Sequence, residues 1–267
     1  MITVKIIGGL GNQMFQYALG KCLALKHNTD LKLDLSGFEN YKAWKFELDN
    51  LNISYKTFNL KDKESLQRIN EKFFHFDKEL LNLSDNVYLD GYFQSEKYFK
   101  KIKQVLLNDF MVTSPVNEKN KKMLDLINST NSVSLHVRRG DYITNPSANA
   151  FHGTCSVEYY NKAAKYISEN IDNPHFFLFS DEPEWVRENI LIDKPVTIVD
   201  INTIDNGYDD LRLMSNCKYN IIANSSFSWW GSWLNNNPQK VVIAPKRWFI
   251  STVHDTKDLI PEGWIKL

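Results

Sequence analysis

The sequence predicts an α/β protein of two Rossmann-like lobes with parallel sheets, and three observations carry this prediction. The first 36 residues run strand, glycine turn, helix, strand, a βαβ unit that requires a parallel sheet and a right-handed crossover. From Ser132 onward, apolar strands alternate with helical or loop segments of crossover length. The 267 residues, 43% of them hydrophobic, suffice to bury two modest cores. The expected lobes are residues 1–128 and 129–267.

Each element has a local reason. Residues 2–7 (ITVKII) form a buried strand. The GGLGN turn then leads into a helix on which Met14, Tyr17, Ala18, Cys22 and Leu25 recur at helical spacing. LKLDLS at 31–36 is the second strand. Residues 37–85 are less patterned, and the polar run NLKDKESLQRINEKFF predicts a helix near 62–74. NVYLDGY reads as a strand and a turn, and SEKYFKKIKQVLLNDF as a helix that Ser95 can cap. Ser114-Pro115 resembles a cap followed by proline at the first helical position, opening a helix to about Asn128 that bridges the lobes. SVSLHV, HFFLFS, VTIVD, YNIIAN and KVVIAP then give a five-stranded parallel sheet.

Composition excludes several function classes. Lys and Arg number 32 against 32 Asp and Glu, so no global field would hold the chain on nucleic acid, and no nucleic-acid partner is expected. Cys22, Cys155 and Cys217 are odd in number and far apart, which argues against a disulfide framework and for a reducing compartment. The N-terminus lacks a charged n-region, a long apolar stretch and a cleavage site. No apolar run reaches the roughly eighteen residues of a membrane span. A cytoplasmic location is expected, with peripheral attachment to the inner membrane face left open. Seven Trp and twelve Tyr suit carbohydrate contact, although core packing is their default use.

Open parallel sheets bind ligands beyond the carboxyl ends of their strands. One such end is His136-Val137-Arg138-Arg139-Gly140-Asp141. Strand alternation puts His136 and Arg138 on one face and Arg139 on the other, so Arg138 is assigned to a phosphate ligand and Arg139 to a structural ion pair. A second end is Asn224-Ser225-Ser226-Phe227, where a strand gives way to a helix whose N-terminus can cradle a diphosphate. Trp229, Trp230 and Trp233 share one helical face and are assigned to the core. Asp210 can accept hydrogen bonds from a guanine edge, whereas Asp181, in Ser-Asp-Glu-Pro, is read as a helix cap.

The turn Gly8-Gly9-Leu10-Gly11-Asn12 follows a strand and opens a helix, but its spacing departs from G-x-G-x-x-G. Asp34 nearly fits the acidic ribose ligand, which keeps an NAD-dependent enzyme as a rival; a non-catalytic carbohydrate or sugar-nucleotide-binding module is the other. The turn can equally bring the Asn12 amide to a polar ligand. No D-x-D pair is present, and an extended Asp209-Asp210 would point its carboxylates apart, so no metal site is expected.

Five motifs together are highly specific: GGLGNQMFQYALG near the start, LDGYFQSEKYF at 89–99, HVRRGDY at 136–142, DLRLMSNC at 210–217 and NSSFSWWGSWL at 224–234. Over nearly its whole length the chain resembles glycosyltransferase family 11, the α-1,2-fucosyltransferases, in its short bacterial form. The resemblance implies a GT-B-like pair of Rossmann-like lobes, with an acceptor-side lobe at 1–128 and a GDP-fucose-binding lobe at 129–267. It implies inverting transfer of L-fucose from GDP-fucose to a hydroxyl, O2 of a galactoside, on a galactose-containing oligosaccharide or glycolipid, with no metal or other cofactor. By the same resemblance His136, Arg138, Asp210, Ser225, Ser226 and Phe227 bind the donor. Asn12, Gln13, Tyr92 and Gln94 lie on the acceptor side, and Arg138 and Asn12 are the catalytic residues. No general base is assigned, because Asp34, Asp90, Glu96 and Asp141 each have an ordinary role as turn residue, cap or ion-pair partner.

Overall fold

Strands covered on both faces must be apolar almost throughout, and Ile2, Val4, Leu33, Val87 and Leu89 are all fully buried. In the computed structural model, which describes residues 1–39, 44–59 and 66–267, these side chains belong to Ile2–Lys5 (β1), Leu31–Asp34 (β2) and Val87–Asp90 (β5). With Lys56–Thr57 (β3) and Gln67–Asn70 (β4) they form a parallel sheet in the order β3-β2-β1-β5-β4. Helix Leu10–His27 (α1) packs on β1 and β2 and ends at Asn28, whose left-handed backbone returns its N–H to Ala24 and Leu25 carbonyls. Lys103–Asp109 (α2) completes the regular elements of this unit, which comprises Met1–Ser114 and His254–Pro261.

The second unit is Pro115–Val253 with Glu262–Leu267. Helix Glu118–Ser129 (α3) precedes the central strand Asn131–Val137 (β6). Next come the short helices Gly140–Thr144 (α4) and Pro146–His152 (α5), then Val157–Asn170 (α6) and Pro174–Ser180 (β7). Pro183–Asn189 (α7), Val196–Val199 (β8), Gly207–Asn216 (α8) and Tyr219–Ile221 (β9) follow. Ser226–Leu234 (α9), Val242–Ala244 (β10) and Ile265–Lys266 (β11) close the unit. The sheet order is β11-β10-β9-β6-β7-β8, parallel throughout. Alternation along β7 sends Phe176 and Leu178 to a core with Tyr160, Ala163 and Ile167. It sends Phe177 and Phe179 to the opposite core with Ile127, Leu213 and Met214.

Both sheets change direction once. The chain steps outward from β1 through β2 to β3, then returns to the other side of β1; in the second sheet it steps from β6 through β7 to β8 and returns as β9. Loops on either side of such a switch diverge and leave a crevice. The switch points lie between β1 and β5 and between β6 and β9.

Several expectations require correction. The helix expected at 62–74 is replaced at Gln67–Asn70 by β4, because pairing with β5 overrides the polar pattern; its first residues, 62–65, lie outside the described ones. The helix expected at 95–110 is broken into turns at Glu96–Tyr98 and Lys100–Ile102 before α2, with Ser95 capping the first of them. Helix α3 starts after Asn117, whose side chain accepts from Asn120 N–H, and not at Ser114-Pro115. Its Met123, Leu124 and Ile127 pack into the core of the second unit, so the boundary falls at 114/115 and not at 128. A sixth strand, β11, joins the expected five. Among the described residues no helix is long and apolar enough to cross a membrane.

Candidate functional site

The β6/β9 switch collects the basic motif and the serine motif. His136 and Val137 end β6; Ser225 precedes α9 beside it, and the His136 and Phe227 rings lie 5.9 Å apart. Ser225 is the N-cap residue of α9 and makes no side-chain hydrogen bond to the helix, and no acidic residue occupies the first turn. The leading N–H groups of this helix therefore face the crevice with the positive end of its dipole. Trp229, Trp230 and Trp233, all buried, anchor α9 as expected.

Arg138 is held at both ends of its guanidinium. Nη1 lies 2.7 Å from Asp181 Oδ2 and Nη2 donates to Asp141 Oδ1 at 2.7 Å, while the Tyr142 ring lies beneath it at 5.6 Å. Asp181 is thus not a helix cap. It takes Arg138 and also accepts the Arg139 backbone N–H at 3.0 Å. Gly140 makes this possible, since a Cβ there would stand 2.6 Å from Asp181 Oδ2. Arg139, the residue before α4 and already beyond the end of β6, pairs with Glu182 at 2.9 Å and lies over Trp185 at 3.9 Å, the ion pair expected of it, although its direction is set by the turn and not by strand alternation. The Tyr142 ring in turn stacks on His152 at 4.5 Å. Burial first, and the Arg138 charge second, pull His136 down to about 3. The imidazole is therefore neutral at working pH, and its Nδ1 is buried without a hydrogen-bond partner. A buried orphan of this kind is expensive unless a ligand satisfies it.

Asp209 and Asp210 both lie in the first turn of α8, so the extended-chain reading of their directions does not apply. Asp209 is buried and committed to Arg212 at 2.8 Å. Asp210 accepts from Asn202 Nδ2 at 2.7 Å; burial raises its carboxyl to about 6 against the lowering by Asn202, with a further push from Asp209. Helix α8 packs on α9, and Phe227 joins the core that holds Leu213 and Met214. Among the described residues, no group of three or more His, Cys, Asp or Glu side chains could hold a metal ion.

The β1/β5 switch in the first unit joins the other two motifs. Gly8 takes φ +77°, and a Cβ on it would approach Asn12 Nδ2 to 2.8 Å. Gln94 donates to Asn12 Oδ1 at 2.7 Å, joining the turn after β5 to the turn after β1. Tyr92 is exposed. Gln13 corrects its assignment: it is fully buried, donates to the Gly8 and Lys45 carbonyls, and accepts from Glu47 N–H, so it braces a loop and presents nothing to a ligand. Three carboxylates considered as bases are committed elsewhere: Asp34 to Tyr88, Asp90 to Lys5 and Arg68, and Asp141 to Arg138. The roles of Asp181 and Tyr142 were not legible in the sequence; only Gly140, adjacent to the arginines, hinted that a side chain from a neighbouring strand must come close.

Two parallel Rossmann-like α/β units, each with its polar motifs gathered at the switch point of its sheet, give the chain a fold of the GT-B class. The fold is shared with the crystal structure of POFUT1 in complex with GDP-fucose at TM-score 0.51 and 11% identity, covering 90% of this chain and 98% of that one. The model of glycosyl transferase family 11 matches residues 1–267, and the chain belongs to that family. It is 38% identical to an alpha-1,2-colitosyltransferase of Escherichia coli, over 100% of this chain and 99% of the relative. The O-antigen biosynthesis glycosyltransferase WbnK of Escherichia coli is 33% identical, over 97% and 98%. Galactoside alpha-(1,2)-fucosyltransferase 2 of Rattus norvegicus is 25% identical, over 88% and 67%.

Proposed function

We propose that the enzyme transfers L-fucose from GDP-fucose to O2 of a galactoside within a glycan, with inversion, forming an α-1,2 linkage without a metal ion. The observation that carries this reading is the convergence of Arg138 and the α9 N-terminus on one switch point, a site built for a leaving diphosphate. As the acceptor oxygen bonds to C1 of fucose, the C1–O bond to the β-phosphate breaks, negative charge gathers on that phosphate, and the proton of the acceptor hydroxyl is released to solvent. Arg138 and the α9 amides stabilise it in place. Each Nη of arginine carries two N–H groups, so a nitrogen that serves a carboxylate can also serve a phosphate. Asp210 accepts from the guanine edge, and the orphaned His136 Nδ1 takes a polar group of the nucleotide. On the first unit, Asn12 contacts the acceptor side.

The experiment is incubation with GDP-fucose and a panel of galactosides, with linkage analysis, in excess EDTA and without it. The expected product is α-1,2-fucosylated and forms at an undiminished rate in EDTA. Loss of activity that Mg²⁺ or Mn²⁺ restores refutes the metal-free mechanism. A second reading has its own support, the 38% identity to an alpha-1,2-colitosyltransferase. Colitose is fucose without the 3-hydroxyl, and a donor panel that includes an activated colitose decides between the sugars.

A further inference from the structure

The turn that follows β5 carries an unusual combination. Phe93 is fully buried yet adopts φ +56°, a left-handed backbone that a bulky L residue rarely takes. The Tyr92 and Phe93 backbone N–H groups both donate to the Glu71 carboxylate, each at 2.8 Å. Glu71 sits just beyond β4, and the Glu71 N–H bonds the Asp90 carbonyl at 2.9 Å, so its side chain reaches the turn from the neighbouring strand. Gly91 leaves room for it: a Cβ there would overlap Glu71 Cβ and stand 2.9 Å from its Oε2. Burial raises the Glu71 carboxyl against the lowering by the two N–H groups. Both oxygens are occupied by amides, so Glu71 is placed to hold a turn and not to take a proton. The turn is also tied to the β1 side, where Gln16 donates to the Gly91 carbonyl at 3.1 Å and accepts from Ile7 N–H at 3.0 Å.

The consequence falls on Asn12. With Gln94 Nε2 donating to Asn12 Oδ1, the carbonyl end of the Asn12 amide is fixed and its Nδ2 becomes the end available as a donor. We infer that Glu71 is a positioning residue: it holds the left-handed Phe93 turn that aims Gln94 at Asn12, and so makes Asn12 act through its N–H₂ donor on a sugar oxygen. This rests on the acceptor-side role proposed for Asn12.

Four single variants, Glu71→Gln, Gly91→Ala, Asn12→Ala and Asn12→Asp, and the Glu71→Gln/Asn12→Ala double variant test it, each measured for melting temperature, GDP affinity, acceptor KM and kcat. Glu71→Gln turns one of the two acceptor oxygens into a donor facing a backbone N–H. It should reduce kcat/KM for the acceptor about tenfold while GDP affinity stays within about twofold. Gly91→Ala displaces the same carboxylate without changing its charge and should give the same pattern. In the Asn12→Ala background, Glu71→Gln should add nothing, since both act through one contact. Asn12→Asp keeps the acceptor for Gln94 but removes the donor, and should be as damaging as Asn12→Ala. Additive losses in the double variant, a parallel loss of GDP affinity, or a near-normal Asn12→Asp enzyme would each overturn the inference. A kinetically silent Asn12→Ala would instead overturn the acceptor-side reading beneath it. If Glu71→Gln melts too low to assay, Gly91→Ala and Asn12→Asp decide the matter.

Discussion

Arg138 and Arg139 are neighbours in sequence but send their guanidinium groups to different partners, Arg138 to Asp141 and Asp181 and Arg139 to Glu182 and Trp185, from a turn that begins where β6 ends at Val137. The ion pair of Arg139 and the nearness of Asp141 were legible in the sequence, because both are local; Asp181 as the second partner of Arg138 was not, because it arrives from the next strand. Replacing Arg138 with Lys keeps the charge but loses the planar fork. A transition-state contact of this type is worth about 3 to 4 kcal/mol, so kcat should fall about a hundredfold or more at saturating donor, and the loss of one arm of the Asp141/Asp181 clamp should cost about 1 kcal/mol of stability besides. Arg139→Lys should share the stability cost but not the loss of kcat. Its loss of the Trp185 stack and the Glu182 pairing should reduce stability by about 1 kcal/mol and leave kcat nearly intact. An inactive but fully stable Arg139→Lys enzyme would reverse the assignment. Asp210 adds a pH dependence whose sign follows from its raised carboxyl. Above about 6 it is ionised and, in the proposed donor complex, would accept guanine N–H groups; below that value it is protonated, and GDP affinity should weaken by up to about tenfold per pH unit. Titration of GDP between pH 5 and 8 checks this, and Asp210→Asn should flatten the profile.

At the scale of elements, the long apolar strands and α1 were readable because periodicity and burial agree in them, whereas β4 was not. Gln67, Arg68 and Asn70 are exposed residues whose strand pairing comes from β5, a tertiary contact absent from their own composition. Glu71, just beyond β4, shared that invisibility, and so the turn after β5 was seen only as a motif. The β6–α4 turn shows the same dependence on a neighbouring strand, because Gly140 is small for the benefit of Asp181. Gly140→Ala should push the Asp181 carboxylate away from Arg138 and weaken GDP binding about tenfold. Adding Asp181→Ala to Gly140→Ala removes the collision but also the clamp, so the double variant should bind GDP no better than Asp181→Ala alone. Isothermal titration of the three variants reads this directly, and wild-type affinity in Gly140→Ala would refute the clamp.

The whole molecule is not two consecutive halves, and no pattern within either half announces this. Residues His254–Pro261 belong to the first unit although they follow most of the second, and Glu262–Leu267 return to the second, where β11 pairs with β10. Asp258 explains how the returning segment is held. Its carboxylate accepts the Phe76 N–H at 3.2 Å and pairs with Lys97, and its carbonyl accepts from Ser95 Oγ at 2.9 Å, while Leu259 beside it is buried. Every one of these partners lies in the first unit, whereas Arg138, Asp210 and the α9 N-terminus lie in the second. Asp258→Ala should therefore destabilise the protein by about 1 to 3 kcal/mol, because a charged acceptor is removed from a part-buried amide and from Lys97. GDP affinity should remain within about twofold of wild type, since the residues proposed to hold the nucleotide lie in the second unit. Calorimetric melting with GDP and without it separates the two effects: the nucleotide should raise the melting temperature of the variant by as much as it does for the wild type. A collapse of GDP affinity in a folded Asp258→Ala protein would show that GDP binding depends on the first unit, against the proposed placement of the nucleotide in the second.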